Sequence, residues 1–156
     1  MQTSPVNVVS LTGPELAAWR GLLQAHRALV HDLDVELREA CDLSLHEYEV
    51  LLLLSEAPGQ RMRMSDVAAA VLLSQSGLTR LVDRLARAGS VERTRCLEDR
   101  RGLHAELTEA GRARLGQARP THLHGVRTRF LDHFTPAELE TLGGFWERVA
   151  PGATAQ

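Results

Sequence analysis

Three helix-start signals constrain the fold of this sequence more than any other feature. In each of them, a Thr or Ser is followed three residues later by Glu, which is the spacing of a capping box. The boxes begin at Thr12, Ser44 and Thr135, and the first also places Pro14 in the opening turn of its helix. They predict helices that begin near residues 14, 45 and 136, and therefore a mainly α-helical fold.

The first predicted helix is longer than a domain of this size needs to cover its own core. Apolar residues recur at three-and-four spacing up to about Ala40, and at 1.5 Å per residue this helix would be about 40 Å long. We therefore expect part of its apolar face to contact a second subunit. The second helix, from Leu45 to about Ala57, is apolar nearly all round and should lie in the middle of the domain.

The middle of the chain predicts two short helices joined by a tight turn. After an alternating stretch at residues 61–64 that predicts a short strand, Ser65 can cap a helix over residues 66–71. Ser74 can cap a second helix, for which Gly89 is the C-terminal stop. Two short helices in this arrangement form a helix-turn-helix.

The last third of the chain predicts two further helices. Thr108 caps a helix that should continue to about Phe134, bent or broken at Pro120. The third capping box then opens a helix that ends near Val149.

Charge is unevenly distributed, although the formal net charge is only -2. Residues 1–60 hold three Arg and nine acidic residues, residues 61–114 hold eleven Arg and seven, and residues 115–156 hold four of each. A basic middle third between an acidic and a neutral flank is typical of a surface that faces nucleic acid.

The remaining bulk features predict a soluble, cytoplasmic protein. The longest apolar run, residues 50–54, is far shorter than a membrane span, and the first ten residues do not resemble a secretory leader. Cys41 and Cys96 are too few and too far apart for a disulfide framework or a zinc-binding CxxC pair. We therefore expect reduced thiols and no association with a membrane.

The second short helix has one face that suits a protein core and one that suits a DNA groove. Leu78, Leu81, Val82 and Leu85 form the apolar face. The opposite face is small, polar or basic, and its first turn can enter a major groove. The residues that we predict to contact base edges and phosphates are Ser74, Gln75, Ser76, Thr79, Arg80 and Arg84.

A β-hairpin with a charged tip follows this helix. Strand-like runs at residues 91–96 and 103–107 flank a polar turn. Asp99 can accept a charge-assisted hydrogen bond from Arg101 and so hold the tip in shape for insertion into a minor groove. The predicted DNA-contacting residues of this hairpin are Arg93, Arg95, Asp99, Arg100 and Arg101.

These elements together resemble the multiple-antibiotic-resistance-regulator (MarR) family of bacterial transcription factors. The resemblance rests on Leu72-Leu-Ser-Gln-Ser-Gly-Leu-Thr-Arg-Leu-Val-Asp-Arg-Leu-Ala-Arg-Ala-Gly89. It also rests on Asp99-Arg-Arg101 followed by Leu107-Thr-Glu-Ala-Gly111, which has the family's spacing in full. The implied fold is a winged helix-turn-helix with a small β-hairpin wing and long dimerisation helices.

The resemblance implies a homodimer that binds a pseudo-palindromic DNA operator. Residues 14–40 and 109–149 would form the dimerisation helices and residues 41–108 the winged helix-turn-helix, between a flexible arm at 1–13 and a disordered tail at 150–156. Two copies would double the phosphate contacts of one. Aromatic residues that could lie in the interface, or could pack within one subunit, are Trp19, Phe130, Phe134, Phe145 and Trp146.

The family resemblance further implies repression that a small molecule or an oxidant relieves. For an aromatic or carboxylate-like effector, the matching walls are the first helix near His26 and Val30, the second near Glu47 and Leu51, and the fifth helix. Two alternatives stay open. Cys96 beside Arg95, or Cys41, could sense oxidant, and His122-Leu-His124 is a weak indication of metal sensing.

Other function classes receive less support from the sequence. There is no HExxH, P-loop, GxGxxG or nucleophile elbow, so we expect no enzyme activity and no cofactor or bound metal. A winged-helix module that binds only other proteins is the remaining alternative. The Arg-rich hairpin and the polar turn at Gln75 argue against it.

Overall fold

The computed structural model describes residues 10–71, 73–95 and 102–152. These residues form a mainly helical chain with one small antiparallel sheet, which agrees with the predicted fold class. The helices are α1 (Gly13–Cys41), α2 (Leu45–Glu56), α3 (Met64–Ala70), α4 (Gln75–Arg87), α5 (Glu109–Arg129) and α6 (Pro136–Val149), and the strands are β1 (Arg61–Arg63), β2 (Val91–Arg95) and β3 (Leu103–Leu107).

All three predicted capping boxes form. The backbone N–H groups of Thr12, Ser44 and Thr135 donate to the glutamate three residues later, at 2.7, 2.8 and 2.8 Å. The bonds from Thr12 and Thr135 hold the pKa of Glu15 and of Glu138 below its ordinary value. The boxes therefore fix where α1, α2 and α6 begin, as the sequence predicted.

The three strands form one antiparallel sheet in the order β1-β3-β2. The register pairs Arg61 with Glu106 across β1 and β3, and Arg95 with Leu103 across β2 and β3. This confirms the strand predicted at residues 61–64, which ends one residue earlier at Arg63, and the two strands of the predicted hairpin. The hairpin tip, with Cys96, Asp99, Arg100 and Arg101, lies outside the described residues, as do most of the predicted N-terminal arm and the last four residues of the predicted tail.

The core lies around α2, whose side chains are buried on nearly every side, as predicted. It is closed by the buried face of α4, by the sheet and by the first half of α5. At Gly111, α5 passes so close to the Ser90 carbonyl that a Cβ atom would collide with it. This contact explains the glycine in Leu107-Thr-Glu-Ala-Gly111 and fixes how the hairpin meets α5.

Two boundaries differ from the sequence prediction. Ser65 does not cap α3, because β1 leads directly into the helix and Arg63 occupies the cap position. Ser65 lies in the first turn instead, where its hydroxyl donates to Asp66 at 3.1 Å. The proposed cap at Ser65 is therefore wrong by two residues.

The fifth helix also differs, because it is not broken at Pro120 and does not reach Phe134. Pro120 is exposed, so solvent can satisfy the carbonyl that loses its intrahelical donor. The helix ends at Arg129 instead, where Phe130 leaves the helical region and a short 3-10 turn, Leu131–His133, follows. Arg129 bonds to Asp32 at 2.7 Å and to Glu36 at 2.8 Å, which holds the end of α5 against α1.

None of the helices in the part of the chain that the structure describes is long and apolar enough to cross a membrane.

Candidate nucleic-acid interface

The N-terminal turn of α4 presents a set of exposed polar groups. Ser74 caps the helix by accepting a hydrogen bond from the Gly77 N–H at 3.1 Å. Gln75, Ser76 and Thr79 follow and are all exposed. Because a helix N-terminus carries unsatisfied N–H groups and a partial positive charge, this turn favours an anionic partner such as DNA.

The opposite face of α4 is committed to the core. Leu78, Val82 and Leu85 have no exposed surface and Leu81 has 6%. This is the apolar face that the periodicity predicted. The polar face is consequently held toward solvent by packing.

Thr79 has a restricted hydrogen-bonding capacity. Its hydroxyl donates to the Gln75 carbonyl at 2.8 Å, so the single hydroxyl proton is used within the helix. What Thr79 can still offer a base edge is an acceptor lone pair and a methyl group. Both match groups in the major groove, where amino donors and the thymine methyl are exposed.

Arg93 connects the hairpin to α4. Its Nη2 donates to the Thr79 carbonyl at 3.1 Å and lies 2.9 Å from a carboxylate oxygen of Asp83. The sequence grouped Arg93 with the DNA-contacting cations of the hairpin. The structure places the Arg93 guanidinium at the junction of β2 and α4, where it fixes the hairpin relative to the helix. Both Arg93 and Arg95 are exposed.

A groove of about 360 Å³ lies between the start of α3, α4 and the hairpin. It is continuous with the polar turn of α4, and Gln75, Thr79 and Arg93 lie in its wall. Arg63 lines the same groove, although sequence reasoning used this residue only as part of a strand. The alternation at residues 61–64 was the available signal, because it placed Arg63 at the end of a strand next to the helix-turn-helix.

Arg84 is paired within the chain although its side chain is 51% exposed. Its Nε lies 3.2 Å from Glu47 Oε1. The other oxygen of Glu47 accepts hydrogen bonds from the N–H and the hydroxyl of Ser44, both at 2.8 Å. Glu47 therefore links the start of α2 to the exposed polar face of α4. Arg80 lies on the same face of α4 and is exposed.

The four residues predicted for an effector pocket separate into three environments. His26 and Val30 line a cavity of about 440 Å³ together with Arg27, His31, Asp34 and His46. Leu51 has no exposed surface and belongs to the core, and Glu47 is turned toward Ser44 and Arg84. Leu51 and Glu47 therefore do not line this cavity, and the sequence reading missed His46, which it used only as part of a capping box.

The candidate interface aromatics are largely exposed or half-exposed in one chain. Trp19, Phe145 and Phe134 expose 53%, 46% and 37% of their surfaces, and no residue of α6 is buried. Phe130 and Phe134 contact each other within the chain, with ring centroids 5.2 Å apart. Trp146 is half-buried on α6.

The described residues offer little structural support for either of the two alternative sensing mechanisms, metal binding and thiol oxidation. In these ranges no group of three His, Cys, Asp or Glu side chains could hold a metal ion. Cys41 is half-buried, with its Sγ 3.8 Å from the Thr121 hydroxyl. Cys96 lies outside the described residues.

Comparison with known proteins yields one family. A model of the MarR family matches residues 42–102. The HTH-type transcriptional repressor YetL of Bacillus subtilis (strain 168) is 32% identical over 111 residues, which cover 69% of this chain and 66% of YetL. The chain thus spans just under two thirds of that repressor. An uncharacterized HTH-type transcriptional regulator of the same organism, YpoP, is 33% identical over 69% of this chain and 75% of its own length.

Solved structures give the same result over nearly the whole chain. AbsC, a MarR family transcriptional regulator from Streptomyces coelicolor, has a TM-score of 0.85 and 38% identity, and the match covers 96% of this chain and all of AbsC. Sco3205, a MarR family transcriptional regulator from the same organism whose structure is a complex with DNA, has a TM-score of 0.86 and 33% identity over 92% of this chain and 91% of Sco3205. All four of these relatives are named as regulators or repressors of transcription, not as enzymes.

Proposed function

Because the chain belongs to the MarR family, we propose that it is a homodimeric, sequence-specific DNA-binding repressor of transcription. The observation that carries the proposal is the geometry of α4. Its exposed, capped N-terminal turn carries Gln75, Ser76 and Thr79, and its buried leucines hold that turn toward solvent. The partner is a pseudo-palindromic operator in double-stranded DNA. We expect the protein to work in the cytoplasm, where its DNA partner would lie.

In this proposal α4 reads the major groove. The Gln75 side chain can donate to and accept from one adenine edge. Thr79 supplies an acceptor and a methyl group beside it, because its proton is held by the Gln75 carbonyl. Arg80 lies on the same exposed side for a guanine or phosphate contact.

The hairpin contributes a second contact in a neighbouring minor groove. Arg95 is exposed at the end of β2, and the tip beyond it brings Arg100 and Arg101, with Asp99 as the proposed partner of Arg101. Arg93 acts differently, because its bonds to Thr79 and Asp83 set the angle between hairpin and helix. The two contacts therefore keep a fixed spacing along the duplex.

The homodimer forms through α1, α5 and α6, corresponding to residues 14–40 and 109–149. Support comes from α6, which has no buried residue although it carries Phe145 and Trp146. An amphipathic helix that covers nothing in its own chain would bury its apolar face against a second copy. Trp19, Phe130 and Phe134 would extend the same interface, which leaves residues 41–108 of each chain facing the DNA.

An aromatic carboxylate is the effector class that the cavity beside α1 and α2 supports best. His26, Arg27 and His46 supply donors or positive charge around it, and Val30 supplies an apolar wall. The cavity also contacts Asp34, whose carboxylate accepts the Leu45 N–H at 2.8 Å at the start of α2. A bound effector would therefore act on the helix that carries Glu47 and, through its ion pair, Arg84.

Selection of the purified protein against a randomised duplex pool tests the proposal. We expect enrichment of an inverted repeat with half-sites about one helical turn, or 10 base pairs, apart. Anisotropy titrations of the winning duplex should then show a steep loss of affinity with salt, because phosphate contacts release counterions. If no sequence is enriched and binding is negligible even at low salt, the proposal is wrong.

A further inference from the structure

A second cavity lies on the other side of α2, between that helix and the end of α3. It measures about 340 Å³ and is lined by Glu49, Leu52, Leu53, Glu56, Ala70 and Val71. It shares no lining residue with the cavity at His26. The proposed DNA-binding and effector roles do not use it.

The walls of this cavity follow from the sequence of α2. Positions 49, 52, 53 and 56 are spaced by three and four residues and so share one face of the helix. Leu52 and Leu53 are half-buried and pack against the core from this face. Val71, at the end of α3, closes the apolar surface opposite them.

The charged side chains that line the cavity are both glutamates, Glu49 and Glu56. Neither Glu49 nor Glu56 has an ion-pair partner within 4.0 Å among the described residues. Burial raises the pKa of Glu49, and His46 acts in the opposite direction. A half-buried carboxylate is under-solvated, and a cationic group placed directly against it would relieve that cost.

We propose that this cavity binds a small organic cation, such as a protonated amine attached to an alkyl or aryl body. The ammonium group lies against Glu49, and the apolar body covers Leu52, Leu53 and Val71. The exposed Glu56 at the rim attracts the same charge. A cavity of this volume is of the size that small-molecule ligands occupy.

The sign of the charge distinguishes the two cavities. The cavity at His26 is lined by Arg27 and three histidines and suits an anion, whereas this one has two carboxylates that form no ion pair with the residues that the structure describes. Ala70 and Val71 also end α3 shortly before Ser74, which caps α4. An occupant would therefore touch the helix-turn-helix itself.

Isothermal titration calorimetry with 4-phenylbutylamine tests this inference without DNA. The neutral isostere 4-phenylbutanol serves as the matched ligand, and we expect it to bind at least about tenfold more weakly because it cannot pair with the carboxylate. Glu49→Gln should weaken binding of the amine about tenfold, and Glu56→Gln about two- to threefold because that carboxylate is exposed. Glu140→Gln, an exposed glutamate on α6, should leave the affinity unchanged.

Three results would overturn the inference: no binding of the amine, equal binding of amine and alcohol, or the same amine affinity in Glu49→Gln as in the unaltered chain. Circular dichroism of each variant confirms that it is folded. Since the titration contains no DNA, its outcome is independent of whether the protein binds an operator.

Discussion

The two halves of the molecule differ in how they bury their apolar side chains. Fifteen of the eighteen buried hydrophobic residues of the described chain lie between positions 43 and 107, and only Leu37, Leu115 and Ala118 lie in the long helices. At the far end, α6 has no buried residue. Residues 43–107, the proposed DNA-binding lobe, are thus packed within one chain, whereas the long helices expose an apolar surface that suits a second copy.

Because of this difference, folding stability and dimer assembly should depend on different sets of residues. A change in the lobe core should act on folding at every protein concentration. A change on α6 should act on association and therefore depend on concentration.

Leu51→Ala should lower the free energy of unfolding by about 2–5 kcal/mol, because the side chain is fully buried and its removal leaves a cavity. Urea denaturation followed by circular dichroism measures the loss. Leu103→Ala is the matched control, since Leu103 is 44% exposed on the hairpin, and it should change stability by about 0.5 kcal/mol or less. Equal losses in both variants would contradict the assignment of the core.

Phe145→Asp should weaken self-association by at least about tenfold, because it places a charge in the proposed interface. Sedimentation velocity over a range of concentrations measures the shift toward monomer. Gly144→Asp introduces the same charge on the other side of α6, where an added side chain meets nothing within 4 Å, and should leave association unchanged. A fully dimeric Phe145→Asp protein would show that α6 is not at the interface.

Gln75→Ala should lower affinity for the selected operator about tenfold and leave affinity for random duplex nearly unchanged, as expected of a base-reading residue. Anisotropy titrations on both duplexes give the two affinities. Arg87→Ala, further along the exposed side of α4, should instead weaken both by similar factors, as a phosphate contact does. Equal losses on both duplexes for Gln75→Ala would exclude Gln75 as a reader.

His122 connects the two halves, because its ring lies 4.3 Å from that of Tyr48, centroid to centroid, and joins α5 to α2. Burial lowers the pKa of His122 below its ordinary value of 6.5, so the unfolded chain takes up this proton more readily than the folded one. Stability is therefore retained above pH 6.5 and falls as the pH drops below it.

His122→Phe should reduce the loss of folding stability at low pH while keeping the aromatic contact with Tyr48. Thermal unfolding between pH 5 and pH 7.5 compares the two proteins (about the range in which an unperturbed histidine titrates). The solvent-exposed His124 provides the control, since His124→Phe should leave the pH profile as it is. A His122→Phe profile identical to that of the unaltered chain would contradict the prediction.

Glu47→Gln should have the smallest effect and the opposite sign on DNA binding. Glutamine keeps an acceptor for the Ser44 cap but holds Arg84 less tightly, so Arg84 is freed for a phosphate contact. We expect affinity for DNA to rise about two- to threefold, in line with the value of a partly exposed ion pair. Weaker DNA binding by Glu47→Gln at unchanged stability would show that the ion pair helps α4 to bind.

Features set by near neighbours in the chain were predictable from the sequence. The capping boxes, the buried face of α4 and the hairpin each depend on residues a few positions apart, and the structure confirms all three. The cap at Ser65 was wrong because a preceding strand, formed by pairing with β3, leads straight into α3. Of the predicted bend or break at Pro120, the break was wrong, because an exposed proline can be accommodated within a continuous helix.

Contacts between distant segments were not predictable from the pattern. From the sequence, Arg93 is one more cation of the hairpin, and only the fold brings its side chain into contact with Thr79 and Asp83. Leu51 was predicted to line an effector pocket beside α1, but its side chain on α2 is buried in the core. His46 enters the cavity because α1 and α2 meet there, and its role in a capping-box sequence gave no sign of that.

The stoichiometry of the complex on the selected duplex shows whether two chains bind one operator, because in the proposed dimer the long helices hold two DNA-binding lobes together. Native mass spectrometry of the protein with one operator duplex measures it. We predict two chains per duplex, with no stable complex of a single chain, and a shift toward free DNA for Phe145→Asp. A stable complex of one chain per duplex, with operator affinity unaffected by Phe145→Asp, would contradict the proposed homodimer.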